Sequence, residues 1–331
     1  MRVSTNINVN PYLQNLNDTQ AKKQDLQTKI SSGKDILSLA DDPGRMVNTK
    51  QLSAAINKND AYLNNIESGL SELRIVSEQI DAISDKFADI RSLAVDATAT
   101  GNSTDLFSLG VYVKGLLSDL VNDANSDYEG HFLFSGTKTT KSSITPESPA
   151  TNQYPFEIVT EAPTESNPSG MRVVFKGNNA DRAINKDATS TEVINTKAED
   201  LFGANSSEMF EPIVELYNIM TYNADGTKRQ ENSALTTSET ARINAAQEKI
   251  ANFNDRINNV SAQNGARINR LESISTQINN EQLRLKDYRS VNEDTNVASA
   301  TLQLAKEQNL LDYSLKIGTQ IIGRSIFDFL S

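Results

Sequence analysis

From Arg45 to Thr98 apolar side chains recur at heptad spacing: Ile56, Leu63 and Leu70 run on into Ser77 and Ser84, with Leu52, Ile66, Leu73, Ile80, Phe87 and Ala94 as the interleaved set. Several successive heptads predict a long bundle or coiled-coil helix rather than a short globular one. A second pattern of this kind opens at Thr236-Thr237-Ser238-Glu239, a capping box in which Thr236 caps and Glu239 reaches back. It continues through Ile250, Phe253, Ile257, Val260, Leu271, Ile274, Ile278, Leu285 and Tyr288. At 1.5 Å per residue that helix is about 80 Å long, so only another long helix covers its seam. Asn264 falls at a core position of the seam, where a buried amide fixes register and an exposed seam is the alternative. A shorter third helix is expected to be capped by the Gly101-Asn102-Ser103 break, to carry Leu106, Val113, Leu116, Leu120 and Ala124 inward, and to close at Gly130.

The two chain ends predict helices with more apolar surface than one partner covers. Residues 1–36 read as a short polar lead and then a helix with Val9, Leu13 and Leu16 on one side and Leu26 and Ile30 further along, interrupted at Gln20 and Lys23. Ser31-Ser32-Gly33 ends it, with Gly33 as the C-terminal cap, and Asp42 caps a new helix whose first turn holds Pro43. At the other end, Val297 to Ser331, the residues Leu304, Leu311, Leu315, Ile322, Ile326 and Phe329 fall in a band about 60° wide at 100° per residue. A second set, Leu302, Leu310, Tyr313, Ile317 and Phe327, lies across the helix and is interrupted by Lys306, Asp312, Lys316, Arg324 and Asp328. One partner helix cannot cover both stripes, so the helix needs two partners, within the chain or from neighbouring molecules; an ordinary buried core helix is the alternative. Gly318 and Gly323 either permit close helix approach there or are merely tolerated.

Between Phe132 and Leu235 the texture changes. Phe132-Leu133-Phe134, Tyr154 to Val159 and Met171 to Phe175 are short apolar runs separated by turn-formers such as Asn167-Pro168-Ser169-Gly170 and Gly177-Asn178-Asn179. They predict a small, mostly β insert, followed over Met209 to Tyr222 by a short amphipathic helix carrying Phe210, Ile213, Val214 and Tyr217 and ended by Asn223-Ala224-Asp225-Gly226. The fold class is therefore mainly α, with long antiparallel helices built from both chain ends and a β-containing outer domain in the middle. The division expected is 1–42 with 291–331 as a terminal pair, 43–140 with 236–290 as a helical bundle, and 141–235 as the insert.

Composition narrows the chemistry. The chain has 331 residues, no cysteine and one histidine, which excludes disulfides, thiolate sites and multi-histidine metal centres. A net charge of -11 leaves no basic stripe for nucleic acid. No run of about 18 uncharged apolar residues exists to cross a membrane, and residues 1–11 lack the pattern of a cleaved secretory signal. His131, beside Asp127 and Glu129, is the one candidate for a general base or metal ligand, but no nucleophile motif or ligand spacing accompanies it. No catalytic, cofactor or metal site is expected.

The ordered motifs resemble the flagellin superfamily, and within it the hook–filament junction proteins. Ile30-Ser31-Ser32-Gly33 followed by Asp41-Asp42-Pro43 is similar to the superfamily's N-terminal signature. Gly130-His131-Phe132-Leu133-Phe134-Ser135-Gly136-Thr137-Lys138-Thr139 resembles the Gly-x-Tyr-Leu-Phe-Ser-Gly-Thr stretch of junction proteins, with His131 and Phe132 as departures. Phe175-Lys176-Gly177-Asn178-Asn179-Ala180-Asp181-Arg182 resembles their Tyr-x-Gly turn followed by arginine, and Asp200-Leu201-Phe202-Gly203 a recurrent strand-end motif. The ending Ile326-Phe327-Asp328-Phe329-Leu330 differs from the Leu-Leu-Arg type of many flagellins.

The resemblance implies a structural subunit, exported unfolded by the flagellar type III route and held beforehand by a cytoplasmic chaperone on its C-terminal helix. It implies a place in the extracellular flagellum. The implied partners are a ring of like subunits, the other junction protein on the hook side and flagellin on the filament side, with neither nucleic acid nor membrane insertion. The implied assembly residues are Val9, Leu13, Leu16, Leu26, Ile30, Leu302, Leu304, Leu311, Tyr313, Leu315, Ile317, Ile322, Ile326, Phe327, Phe329 and Leu330. A filament-forming flagellin and a cytosolic coiled-coil scaffold are the alternatives; the scaffold does not account for the two-faced terminal helix.

Overall fold

A computed structural model of the chain describes residues 4–99, 105–146, 151–230 and 233–330, leaving out the side chains of 4–9 and 319–330. Helix α1 spans Ser4–Ser32, α2 Pro43–Thr98 and α3 Leu106–Ala124. Three short hairpins follow: β1 (Asp127–Tyr128) with β2 (His131–Phe132), β3 (Phe156–Thr160) with β4 (Met171–Phe175), and β5 (Ala183–Asn185) with β6 (Thr191–Val193). Helices α4 (Ala198–Phe202), α5 (Glu211–Thr221), α6 (Thr237–Glu293) and α7 (Val297–Leu330) complete the order. The fold is mainly helical with small β sheets in its middle region, as the patterning predicts.

The local signals set most boundaries. Gly33 adopts φ +71° after α1, a left-handed conformation that costs glycine little. Asp42 Oδ1 accepts the Arg45 N–H at 3.0 Å, and Thr236 and Glu239 exchange the two bonds of a capping box, 3.2 and 2.8 Å. Glu239 is held further by the buried guanidinium of Arg229 at 2.5 Å.

Three expectations need correcting. α1 begins at Ser4 and contains Pro11, so the polar residues from Ser4 onwards expected in a lead are helical. α3 is capped by Asp105, whose carboxylate accepts the Phe107 N–H at 3.1 Å; Gly101-Asn102-Ser103 lies outside the described residues. α3 also stops at Ala124, where Asn125 takes over the last carbonyls, and Gly130 instead supplies φ +80° to the turn between β1 and β2.

The chain forms two compact units, residues 1–60 with 279–331 and residues 61–278. α2 and α6 contribute to both. In the second unit they run antiparallel, and Ile66, Leu70 and Leu73 close on Leu271. Asn264 is buried in this seam; its Nδ2 donates to the Leu73 carbonyl at 2.7 Å and to Ser77 Oγ at 2.6 Å, which ties one helix to a single register of the other.

Beyond that point α2 is buried on two faces. Ile80, Phe87 and Ala94 continue the heptad row, while Val76, Ile83 and Ile90 form a second row, equally buried. One core joins these rows to Val113, Leu117 and Leu120 of α3 and to Ile213, Leu216 and Met220 of α5. The hairpin β3–β4 and α4 add an aromatic cluster to the same core: Phe202 stacks on Phe210 at 5.5 Å and meets Phe134 and Phe156 edge-on at 5.6 and 4.8 Å. Such buried aromatics contribute the largest apolar areas in a chain without tryptophan.

Candidate assembly interface

The first unit places the two chain ends side by side. Tyr12 of α1 donates from its hydroxyl to the Ser314 carbonyl of α7 at 2.7 Å, while the Thr295 N–H donates to the Gly33 carbonyl at 2.9 Å; low numbers meet high ones, so α1 and α7 are antiparallel. A Cβ at Gly318 would sit 2.1 Å from the Tyr12 hydroxyl, so glycine is what lets the phenol seat against α7. Leu16, Leu311 and Leu315 line a shared groove between the helices, of about 210 Å³.

The turns at the two ends are bound to each other below this pair. Arg45 donates to the Asn292 carbonyl at 3.0 and 2.6 Å and to Asp35 at 2.8 Å, and Asn292 returns its amide to the Arg45 carbonyl at 2.8 Å. Lys34 pairs with Glu293 at 2.9 Å, and Asp35 N–H donates to the Glu293 carbonyl at 2.7 Å. The Arg45 guanidinium holds the Asp35 carboxyl below its ordinary range. Sequence reasoning missed this joint. Its polar residues carry no periodic signal, and only the turn residues Gly33 and Asp42 marked the place.

Packing covers one face of α7 and leaves the other in solvent. On the first stripe Leu304 and Leu311 are half-buried and Leu315 is 49% exposed, whereas on the second Leu302 is 75% exposed, Tyr313 64%, Ile317 52% and Leu310 43%. Tyr288, expected in the α6 seam, is 63% exposed, and buried Gln282, bonded to Asp60, occupies the seam nearby. Among the described residues seventeen large apolar side chains are exposed, and thirteen lie in the first unit, which holds about a third of the chain. The exposed apolar side chains are thus concentrated on the unit built from the two chain ends.

Residues 3–139 match the family of the bacterial flagellin N-terminal helical region. Over 139 residues the chain is 30% identical to flagellin FljO of Caulobacter vibrioides, covering 41% of this chain and 51% of that one, so it spans about half the length of that flagellin. With flagellar hook-associated protein 3 of Escherichia coli the identity is 23% over an alignment of 334 positions, 99% of each chain. The fold is similar to that of a flagellar hook-associated protein from Vibrio parahaemolyticus, with a TM-score of 0.59 and 19% identity over 76% of this chain and 99% of that one. Over residues 3–139 the chain belongs to the flagellin family.

The likeness to hook-associated protein 3 spans the whole chain, and the flagellar family it points to is structural rather than catalytic. The motifs that carry the resemblance prove to be packing devices. Ser135 and Gly136 are buried, and Gly136, at φ +66°, lies where a Cβ would meet the Asn178 carbonyl at 2.1 Å. Asn178 Oδ1 accepts the Thr137 N–H at 2.9 Å, so the two motif turns interlock. Arg182 pairs with Glu72 of α2, whose carboxyl burial pushes up. Leu201 and Phe202 are fully buried. His131 is exposed, 3.1 Å from the Thr139 hydroxyl, and no cluster of three metal-ligating side chains occurs among the described residues.

Of the residues expected at the interface, Leu16, Leu26, Ile30, Leu304 and Leu311 are half-buried, whereas Leu13, Leu302, Tyr313, Leu315 and Ile317 are exposed. The side chains of Val9, Ile322, Ile326, Phe327, Phe329 and Leu330 lie outside the described residues. Tyr12 and Ser314 were not expected; an aromatic one helical turn before Leu16 was the signal.

Proposed function

We propose that this flagellin-family chain is the subunit joining the flagellar hook to the filament, outside the cell, and that it acts by polymerisation rather than chemistry. The observation that carries the reading is the half-covered α7. One face packs on α1, and the other presents Leu302, Leu310, Tyr313 and Ile317 to solvent. These four side chains are 43–75% exposed, so covering them is worth roughly 1 to 2 kcal/mol each towards holding a subunit in a ring. Residues 1–42 and 291–331 would form the inner layer of the tube, meeting like subunits laterally, a second junction protein towards the hook and flagellin towards the filament. Before export, the same face is what a chaperone would shield.

The full-length match to hook-associated protein 3, against a half-length match to flagellin FljO, supports a junction rather than a filament subunit. The test is assembly by the purified chain. A junction subunit caps isolated hooks and forms no long filament alone, and removal of residues 291–331 abolishes capping. Long filaments grown from the chain alone would assign it to the filament instead.

A further inference from the structure

The second unit carries an open strand edge, independent of the terminal helices. In the β3–β4 hairpin, Glu161 N–H donates to the Gly170 carbonyl at 2.9 Å and Lys176 N–H to the Pro155 carbonyl at 2.8 Å. Those two bonds fix the alternation along the ladder, so the peptide groups of Met171, Val173 and Phe175 point away from β3. On β3 the outward peptide groups of Phe156 are taken by the Asn125 amide, at 2.9 and 2.8 Å. On β4, Asn167 Nδ2 donates to the Met171 carbonyl at 2.9 Å and Ser169 Oγ accepts the Met171 N–H at 3.3 Å. One step along, the N–H and C=O of Val173 meet no partner among the described residues. An unpaired edge of this kind is a template for another strand.

Val173 lines a cleft of about 1020 Å³ between residues 164–173 of the hairpin on one side and Phe210 with the face of α5 bearing Val214 and Asn218 on the other. Asn218 is 3% exposed, and its Oδ1 has no donor among the described residues, although its Nδ2 donates to Asn167 at 2.9 Å. The rim carries five charges. Arg172 is neutralised by Glu161 at 2.6 Å and Arg242 by Glu215 at 3.2 Å, while Glu165 and Glu211 meet no cation among the described residues. The uncompensated charge at the cleft is negative.

We propose that this cleft takes an extended, basic segment of a partner polypeptide, added as a strand along β4. Its peptide groups would meet Val173, alternate apolar side chains would face α5, and its lysines or arginines would reach Glu165 and Glu211. The probe is a capped octapeptide alternating lysine and valine, titrated into the full chain while amide hydrogen exchange is followed. Saturable binding, slowed exchange at Val173, and at least tenfold weaker binding by a Glu165→Lys/Glu211→Lys variant are expected; both positions are exposed and outside the core. An alternating glutamate and valine peptide should likewise bind at least tenfold more weakly. Absence of saturable binding at millimolar peptide, binding that leaves Val173 exchange unchanged, or equal affinity for the charge-reversed variant or peptide would each overturn the proposal.

Discussion

Replacing Gly318 with alanine should change sign with the residue at position 12. The added Cβ would lie 2.1 Å from the Tyr12 hydroxyl and 2.7 Å from its Cζ, where ordinary contact is about 3.5 Å or more. The ring must therefore withdraw by more than about 1 Å, breaking its bond to Ser314. That bond is worth about 1 kcal/mol, and overpacking costs about 1 to 3 kcal/mol more. Against this, alanine gains about 1 kcal/mol over glycine inside a helix. Gly318→Ala alone should weaken the α1–α7 pair by about 1 to 3 kcal/mol. In a Tyr12→Leu background, with no hydroxyl to meet, the same change should strengthen it by up to about 1 kcal/mol. Native-state hydrogen exchange of the amides around residues 314–318 reads the difference, as a five- to thirtyfold change in exchange for about 1 to 2 kcal/mol. If Gly318→Ala slows exchange equally in both backgrounds, Tyr12 and Gly318 are not coupled and the close approach does not fix the register of the pair.

Other expectations concern the second unit. Burial pushes the Glu157 carboxyl up, but Lys176 at 2.8 Å and the main-chain N–H groups of Thr151 and Asn152 outweigh it and bring it down to about 2. A depressed carboxyl stabilises the fold above its ordinary value of 4.5 and loses that contribution as pH falls towards 2. The Tm of Glu157→Gln should therefore vary less with pH across that window than the parent's, by a contribution of up to about 3 kcal/mol, and parallel profiles would contradict it. Asn264→Ala removes bonds to Leu73 and Ser77 inside the seam and should cost about 2 kcal/mol; an unchanged urea midpoint would mean that the amide does not hold the register.

The long helices were legible because heptad spacing persists over many turns, and caps such as Asp42 and Thr236 use short-range chemistry that a sequence displays. The two-faced character of α7 was legible for the same reason. What periodicity concealed was the second buried row of α2. Val76, Ile83 and Ile90 repeat every seven residues too, but nothing local says that α3 and α5 will cover them. The joint from Arg45 to Asn292 was invisible because its partners are separated by 247 positions and none is apolar. Tyr288 failed in the opposite sense. It kept the spacing of the seam but faces solvent, because buried Gln282, bonded to Asp60, takes the nearby seam position.

In the proposed assembly the outer face of α7 binds the neighbours that hold a filament on its hook. The most direct measurement is electron microscopy of cells lacking this gene, complemented by the intact chain or by a Leu302→Lys/Tyr313→Lys/Ile317→Lys variant, with flagellin in the medium measured alongside. Filaments on hooks with the intact chain, and bare hooks with flagellin lost to the medium for the variant, are predicted. Filaments of normal length and number on the variant's hooks would contradict the account.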